Sequence, residues 1–311
     1  MTPVIVVVGS LNMDFVVAVE HLPAPGETVL GSNFQMIPGG KGANQACAAG
    51  RLASSAIVRM AGRVGYDIFA DHLKASLAAA GVDVAAVAAT RSQPTGVAFI
   101  WVDRRGQNSI VVASGANYSL AAADVEGLAA TFEGARFALF QLETPLPAVH
   151  AALALAQRKG ARTILDPAPA QPLSPELLRA VDILTPNEIE ACALLGRTPT
   201  RIGLDEAEDI AKALLALGSK SVVLKLGDQG CFYSDGTERI HSVGFEVESV
   251  DTTAAGDTFN AALAVALSED MPMERALRFA NAAAAISVTR IGAQASIPSR
   301  KEVNEFISTR F

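Results

Sequence analysis

Short continuous runs of β-branched and aliphatic residues alternate with longer Ala/Leu-rich segments of helical period along most of the chain, and no other feature limits the possible folds as strongly. Val4–Val8 is apolar throughout and stops at Gly9-Ser10, the pattern of a strand buried on both faces. Phe137–Leu142, Thr163–Leu165, Ile183–Leu184 and Ser221–Leu226 read the same way. Helical patterns such as Ala148–Lys159 lie between them, this one closed by Gly160 just past its last turn. Such alternation predicts an α/β fold in which a mostly parallel sheet is covered by helices on both faces. Ligands of such sheets sit at the C-terminal ends of the strands.

Two stretches break the alternation. Phe15–Glu20 and Thr28–Met36 flank the turn Pro23-Ala24-Pro25-Gly26, and Gly96–Val102 and Ser109–Ala113 flank the polar loop Asp103-Arg104-Arg105-Gly106-Gln107. They predict a small antiparallel β sheet, contributed by about 12–38 and 94–114, that serves as a lid over the cleft or as an oligomer interface. No repeat or long linker appears, so residues 1–311 read as one main domain with this appendage.

Bulk properties exclude several classes. Half of the residues are hydrophobic, enough for a large core. A net charge of −7 without any basic block speaks against a nucleic-acid partner. Cys47, Cys192 and Cys231 have no metal spacing and read as small buried residues of a reducing compartment, and the four histidines form no ligand pair. No secretory signal or membrane-spanning run is visible, so a cytoplasmic location is expected.

The residues that carry chemistry cluster at predicted strand ends and helix starts. Asp251-Thr252-Thr253-Ala254-Ala255-Gly256-Asp257 runs into the apolar helix pattern 261–267. First-turn N–H groups lack intrahelical partners, and Ala254, Ala255 and Gly256 leave them bare for an anion. Asp257 beside them is placed to take a proton from an attacking hydroxyl, or else to cap the helix. Pro38-Gly39-Gly40-Lys41-Gly42-Ala43-Asn44 precedes another helix but is not a Walker A loop. Its glycines allow close backbone approach, and Lys41 and Asn44 can bond hydroxyls. Asn12 and Asp14 follow the first strand and suit two vicinal hydroxyls, while Glu143 follows Phe137–Leu142. Asn187 and Glu190, three apart at a helix start, either order a hydrated Mg²⁺ or cap the helix. Gly227 and Gly230 end a strand in a glycine turn. No Gly-x-Gly-x-x-Gly follows the first strand, which excludes a nicotinamide-dependent oxidoreductase.

Taken in order, Gly9–Asp14, Gly39–Asn44, 114–117, Gln141–Glu143, 166–170, Thr185–Glu190, Leu226–Gly230, Asp251–Asn260, Asn281–Ala285 and 289–294 make the chain resemble the ribokinase family of carbohydrate kinases from end to end. The resemblance implies the ribokinase-like three-layer fold and ATP-dependent phosphorylation of D-ribose at O5. Asp257 would be the general base, and Ala254, Ala255 and Gly256 the anion hole. Asn12, Asp14, Gly39, Gly40, Lys41, Asn44 and Glu143 would hold the sugar. Asn187, Lys225, Gly227, Gly230, Gly256 and Asn281 would line the ATP site, with Asn187 and Glu190 placing Mg²⁺ through water. Asp251, Thr253, Ser287, Arg290, Gly292 and Ser296 match the family's monovalent-cation site, usually K⁺, several through backbone carbonyls. A homodimer through the lid is also implied. Lys225 departs from the family, which commonly has a small hydroxylic residue there; it either substitutes electrostatically or points to solvent. The alternatives are the same transfer to 2-deoxyribose, another sugar or a nucleoside, and a non-catalytic sugar-binding protein.

Overall fold

The computed structural model describes residues 2–310. Thirteen strands form two sheets. The large sheet contains β1 (Val4–Val8), β4 (Ile57–Gly65), β5 (Val82–Thr90), β8 (Ala135–Phe140), β9 (Arg162–Leu165), β10 (Ile183–Leu184), β11 (Ser221–Lys225), β12 (Cys231–Ser234) and β13 (Arg239–Ser242). Their order is β13-β12-β11-β10-β9-β8-β1-β4-β5, parallel except for the pairings of β12 with β11 and β13.

Alternation within β1 shows why the run is apolar at every position. Ile5 and Val7 enter one core with helices 41–52, 255–268 and 273–287; Val4, Val6 and Val8 enter another with helices 146–158 and 204–216. A strand between two helical layers has no solvent face to fill with polar residues. Strands β4 and β5 were not foreseen. Arg59 and Arg63 interrupt the apolar run of β4, and β5 is rich in alanine, a weak strand former. Both arginines leave the sheet plane: Arg59 donates to the carbonyls of Thr131 and Glu133, and Arg63 pairs with Asp124.

The small sheet holds β2 (Asn12–Ala18), β3 (Ser32–Gly39), β6 (Gly96–Val102) and β7 (Asn108–Ala113), in the order β3-β2-β6-β7. Its outer pairings are antiparallel, as expected, whereas β2 and β6 run parallel at its centre. Both begin where the chain leaves the large sheet, so they enter in the same direction. Asn12 and Asp14, read as loop residues, are instead the first residues of β2. Asn12 is opposite Gly39 on one side and Gly96 on the other. Among the described residues, no helix is long and apolar enough to cross a membrane.

Candidate active site

Strands β1, β8, β9 and β10 are followed at their C-terminal ends by Ser10, Glu143, Asp166 and Asn187, Lys225 ends β11, and the small sheet stands over that edge. Helix 255–268 begins there on Ala254, a non-glycine residue in left-handed conformation, at φ 60 and ψ 12. The turn lets Ala255 donate its N–H to the Thr252 carbonyl, 3.2 Å away. Among the described residues, the N–H groups of Gly256 and Asp257 have no backbone acceptor, which leaves these two open to an anion.

Asp257 is buried and fully engaged. Asn44 Nδ2 donates to its Oδ2 at 3.0 Å, and Gln45 Nε2 to its Oδ1 at 3.1 Å. Both donors lie in the first turn of helix 41–52, which packs along helix 255–268. Burial lifts the Asp257 carboxyl to about 6, with the Lys41 ammonium opposing and Asp166 adding to the rise. That is a carboxylate basic enough to accept a proton yet ionised near neutrality. Lys41 itself is held above its usual value: burial opposes its charge, but Asp257, Asp166, Glu143 and Glu190 outweigh that cost.

The sugar-side residues converge on the same place. Asp14 rests directly on Gly39, where a Cβ would lie 2.1 Å from Asp14 Oδ2. Burial pushes the Asp14 carboxyl up to about 7, helped by the Glu143 and Asp257 carboxylates. Asn12 Oδ1 accepts from Asn117 Nδ2 at 2.7 Å, and Asn117 also bonds both backbone groups of Leu11. Gly40, at φ 88, lets the chain turn into helix 41–52 across the backbone of Asn12. Glu143 Oε2 accepts from Ser10 Oγ at 2.6 Å and from Lys41 N at 3.1 Å, tying three strand ends together. Asn44 Oδ1 is buried without a partner, an acceptor left for a ligand hydroxyl.

On the opposite side of Asp257 lie the residues expected at the nucleotide. Lys225 does not point to solvent: its Nζ pairs with Asp166 Oδ1 at 3.0 Å. Gly227 takes φ 57 with open space around it, whereas Gly230, at φ 90, is required because a Cβ would strike the Ser242 carbonyl. Asn281 spends its Nδ2 on Ser242 and the Val243 carbonyl, which anchors the segment after β13. Asn187 and Glu190 form the capping box: Asn187 N and Nδ2 each donate to a Glu190 oxygen, and Glu190 N donates back to Asn187 Oδ1. Burial raises the Glu190 carboxyl, partly offset by Lys225.

Of the residues matched to the cation site, Asp251 joins the two segments involved. Its Oδ1 accepts from Thr253 N and Oγ1, and its Oδ2 from Gly292 N at 2.8 Å. Burial opposes its ionisation, but these hydrogen bonds hold the carboxyl below its usual value. The Ser287 and Ser296 hydroxyls turn to the carbonyls of Ala284 and Ala293, and the Arg290 guanidinium turns to Glu302.

Several residues that brace these groups lie within or beside the sequence motifs, yet the sequence reading gave them no role. Gln45 bridges Asp257 and Asp166, Gln141 Nε2 donates to Gln45 Oε1 at 2.6 Å, and Ser10 and Asn117 brace Glu143 and Asn12. Asp166 follows β9 as Glu143 follows β8, so the strand-end rule would have found it.

Comparison with known proteins shows the family of the chain. The sequence profile of the pfkB family carbohydrate kinase matches residues 3–300. A ribokinase of Haemophilus influenzae is 43% identical over 311 residues, covering 99% of each chain. The crystal structure of a ribokinase from Thermotoga maritima superposes with a TM-score of 0.89 at 40% identity, over 99% of this chain and 100% of that one. The structure of Arabidopsis thaliana ribokinase complexed with ribose and ATP gives 0.89 at 35% identity over 100% of both chains. Matching along nearly its whole length in sequence and in fold, the chain belongs to the pfkB family of carbohydrate kinases.

Proposed function

We propose that this chain is an ATP-dependent sugar kinase that transfers the γ-phosphoryl group to O5 of D-ribose, giving D-ribose 5-phosphate and ADP. The observation that carries this reading is the placement of Asp257. Its carboxylate is buried beside unpaired first-turn N–H groups and is held by the motif that reaches the sugar-side residues.

Asn12 and Asp14 grip the vicinal hydroxyls, with Gly39 and Gly40 keeping the backbone clear and Lys41, Asn44 and Glu143 completing the sugar site. Asp257 accepts the proton of the O5 hydroxyl as that oxygen attacks phosphorus. The N–H groups of Gly256 and Asp257 stabilise the charge on the transferring group. Positioning, rather than a covalent intermediate, supplies most of the catalysis. The small sheet excludes water from the sugar, which limits hydrolysis.

Support for a nucleotide beyond Gly256 comes from the open ground at Gly227 and the ammonium of Lys225, which suit phosphate oxygens. Mg²⁺ would neutralise phosphate charge there. Both Glu190 oxygens already hold Asn187, and no cluster of three acidic, histidine or cysteine ligands occurs among the described residues. Asn187 and Glu190 therefore reach such an ion through water, as part of the capping box. K⁺ fits at Asp251 with backbone carbonyls around Thr253, Ser287, Arg290, Gly292 and Ser296, since the serine hydroxyls and the arginine are turned elsewhere.

The apolar surface of the lid supports a homodimer through it. On the face that carries Asn12 and Asp14, strand alternation also places Ile110 and Val112, which are 52% and 46% exposed. A second copy of the chain would cover them.

The deciding measurement is ADP release with MgATP and KCl in the presence of D-ribose, 2-deoxy-D-ribose, D-fructose or adenosine. D-Ribose is expected to give the highest kcat/KM. A higher value for 2-deoxyribose would remove the diol role of Asn12 and Asp14, and no stimulation by any acceptor would leave a sugar-binding protein.

A further inference from the structure

Lys225 ends β11 at the edge where the nucleotide is expected, and its surroundings are specific. Its side chain is 13% exposed and pairs with Asp166, whose side chain is only 3% exposed. Beyond its chain neighbours and its own helix backbone, a methyl group built on Gly256 would meet one heavy atom of the described residues within 4 Å, Lys225 Nζ at 3.3 Å. The ammonium therefore borders the same opening as the unpaired Gly256 and Asp257 N–H groups. An ammonium has three protons to donate. Asp166 takes one, and no other acceptor among the described residues bonds Lys225 Nζ.

The pair is also wired to the base. Asp166 Oδ2 accepts from Gln45 Nε2 at 3.1 Å, and the same Nε2 donates to Asp257 Oδ1 at 3.1 Å. Both protons of the Gln45 amide are thus spent on the two carboxylates, and Gln141 fixes its orientation through Oε1. One unbroken chain runs from the ammonium through Asp166 and Gln45 to Asp257.

We propose that Lys225 is a further catalytic residue, whose ammonium, held in place by Asp166, donates to the non-bridging oxygens of the transferring phosphoryl group. The inference rests on the kinase reading above. In the transfer, the O5–phosphorus bond forms as the bond from the γ-phosphorus to its bridging oxygen breaks. The hydroxyl proton goes to Asp257, and ADP keeps the bridging oxygen with its electron pair. Lys225 exchanges no proton; it opposes negative charge where the departing and arriving bonds are both long. A cation fixed by a buried carboxylate needs no reorganisation when that charge develops, which a solvated lysine would. Asp166 is accordingly a positioning residue for both Lys225 and, through Gln45, the base.

The competing account is that Lys225 only neutralises Asp166. Lys225→Met alone does not separate the two, because it leaves Asp166 buried and unpaired. The double variant Lys225→Met/Asp166→Asn does, since Asn keeps an acceptor for Gln45 and removes the need for a counter-charge. Steady-state kinetics with D-ribose would be combined with calorimetric binding of MgADP, which lacks the transferred group. The double variant is expected to lose roughly 10²-fold in kcat, as for loss of one oxyanion donor. MgADP binding and the sugar KM should stay within about threefold, because neither involves the transferred group. Asp166→Asn alone, which keeps the ammonium but loosens its anchor, should lower kcat by less than the double variant does. Restoration of parental kcat in the double variant would overturn the proposal, as would a fall in MgADP affinity as large as the fall in kcat. A parent without sugar-stimulated turnover would overturn the kinase reading and this inference together.

Discussion

Asn44 Nδ2 donates to Asp257 Oδ2 across 3.0 Å, joining positions 213 residues apart in the chain. The motif proposed to reach the sugar therefore also fixes the carboxylate proposed to receive the sugar's proton. A base held by two amide donors is limited to one rotamer, so its geometry is set before either substrate arrives.

Asp257→Asn tests the assignment of the base most directly. The amide keeps the shape of the side chain and is cheaper to bury than a carboxylate, so folding should be unaffected. Turnover should fall by about 10²–10⁴-fold, the range for loss of a general base, with little change in the sugar KM. Turnover near the parental value in a normally folded variant would take Asp257 out of that role.

The pH dependence should show two carboxylates. Burial raises Asp257 to about 6, so kcat/KM should decline as pH falls through that value. Asp14 is raised to about 7 by burial and by its acidic neighbours, and its ionised form is the one proposed to accept both hydroxyls. The sugar KM should accordingly improve as pH rises through about 7. The sign for stability is the opposite. Between the ordinary 3.8 and about 7 the folded protein holds the Asp14 proton and the unfolded chain does not, so this group's contribution is lost as pH rises. Asp14→Asn should be more thermostable than the parent above about pH 7. Titration of the sugar KM and of Tm against pH, in parent and variant, checks both signs; a flat sugar KM across neutrality would contradict the Asp14 role.

How much of this was legible depended on whether the cause was local. Val4–Val8, Ile183–Leu184 and Gly96–Val102 have the bounds read from sequence, because β-branched runs and turn residues specify them. Strand β3 was displaced toward Gly39, since Ser32 onward is ordered by pairing with β2 rather than by its own composition. Strands β4 and β5 were invisible because their arginines and alanines are accommodated by distant carbonyls and by packing. The direction of Lys225 could not be read either. It is decided by Asp166, which lies 59 positions away, just past the end of another strand.

Gly96 tests the sugar side separately. A Cβ there would stand 2.2 Å from Asn12 Oδ1 and 2.4 Å from Asn117 Nδ2, so Gly96→Ala must displace the Asn12 amide. A displacement of that order should raise the sugar KM by roughly 10-fold or more. MgADP affinity should be unchanged, because the nucleotide side is not touched. Gly127→Ala, where a Cβ meets nothing within 4 Å, is the matched control. Equal sugar KM values in the two variants, by initial-rate kinetics, would show that Asn12 does not bind the acceptor.

Asp251 gives the cation assignment a measurable consequence. Its carboxylate bridges the Thr253 turn and the Gly292 N–H, so an ion bound there would stiffen the segment leading into the start of helix 255–268. Turnover in KCl should exceed that in NaCl at equal ionic strength, and Asp251→Asn should shrink the difference. Identical rates in the two salts would remove the monovalent cation from the scheme.

Ala254 is the remaining point of tension in the site. Its φ of 60 places a Cβ against the following carbonyl, at a cost of about 1–2 kcal/mol relative to the right-handed region. The conformation is imposed from both sides: Ala255 N–H bonds the Thr252 carbonyl, and Ala254 carbonyl accepts from Thr258 N at 2.8 Å. Ala254→Gly relieves the clash but frees the unfolded chain, so Tm should be unchanged or rise by about 2 °C. Its kcat should match the parent, since the N–H groups of Gly256 and Asp257 keep their places. Ala254→Val makes the opposite case, because a β-branched residue tolerates this region least. That variant should lose Tm and kcat together as the first turn unwinds. Thermal unfolding and steady-state rates on the three proteins check the point; a valine variant with parental turnover would mean that the anion site does not depend on the left-handed turn.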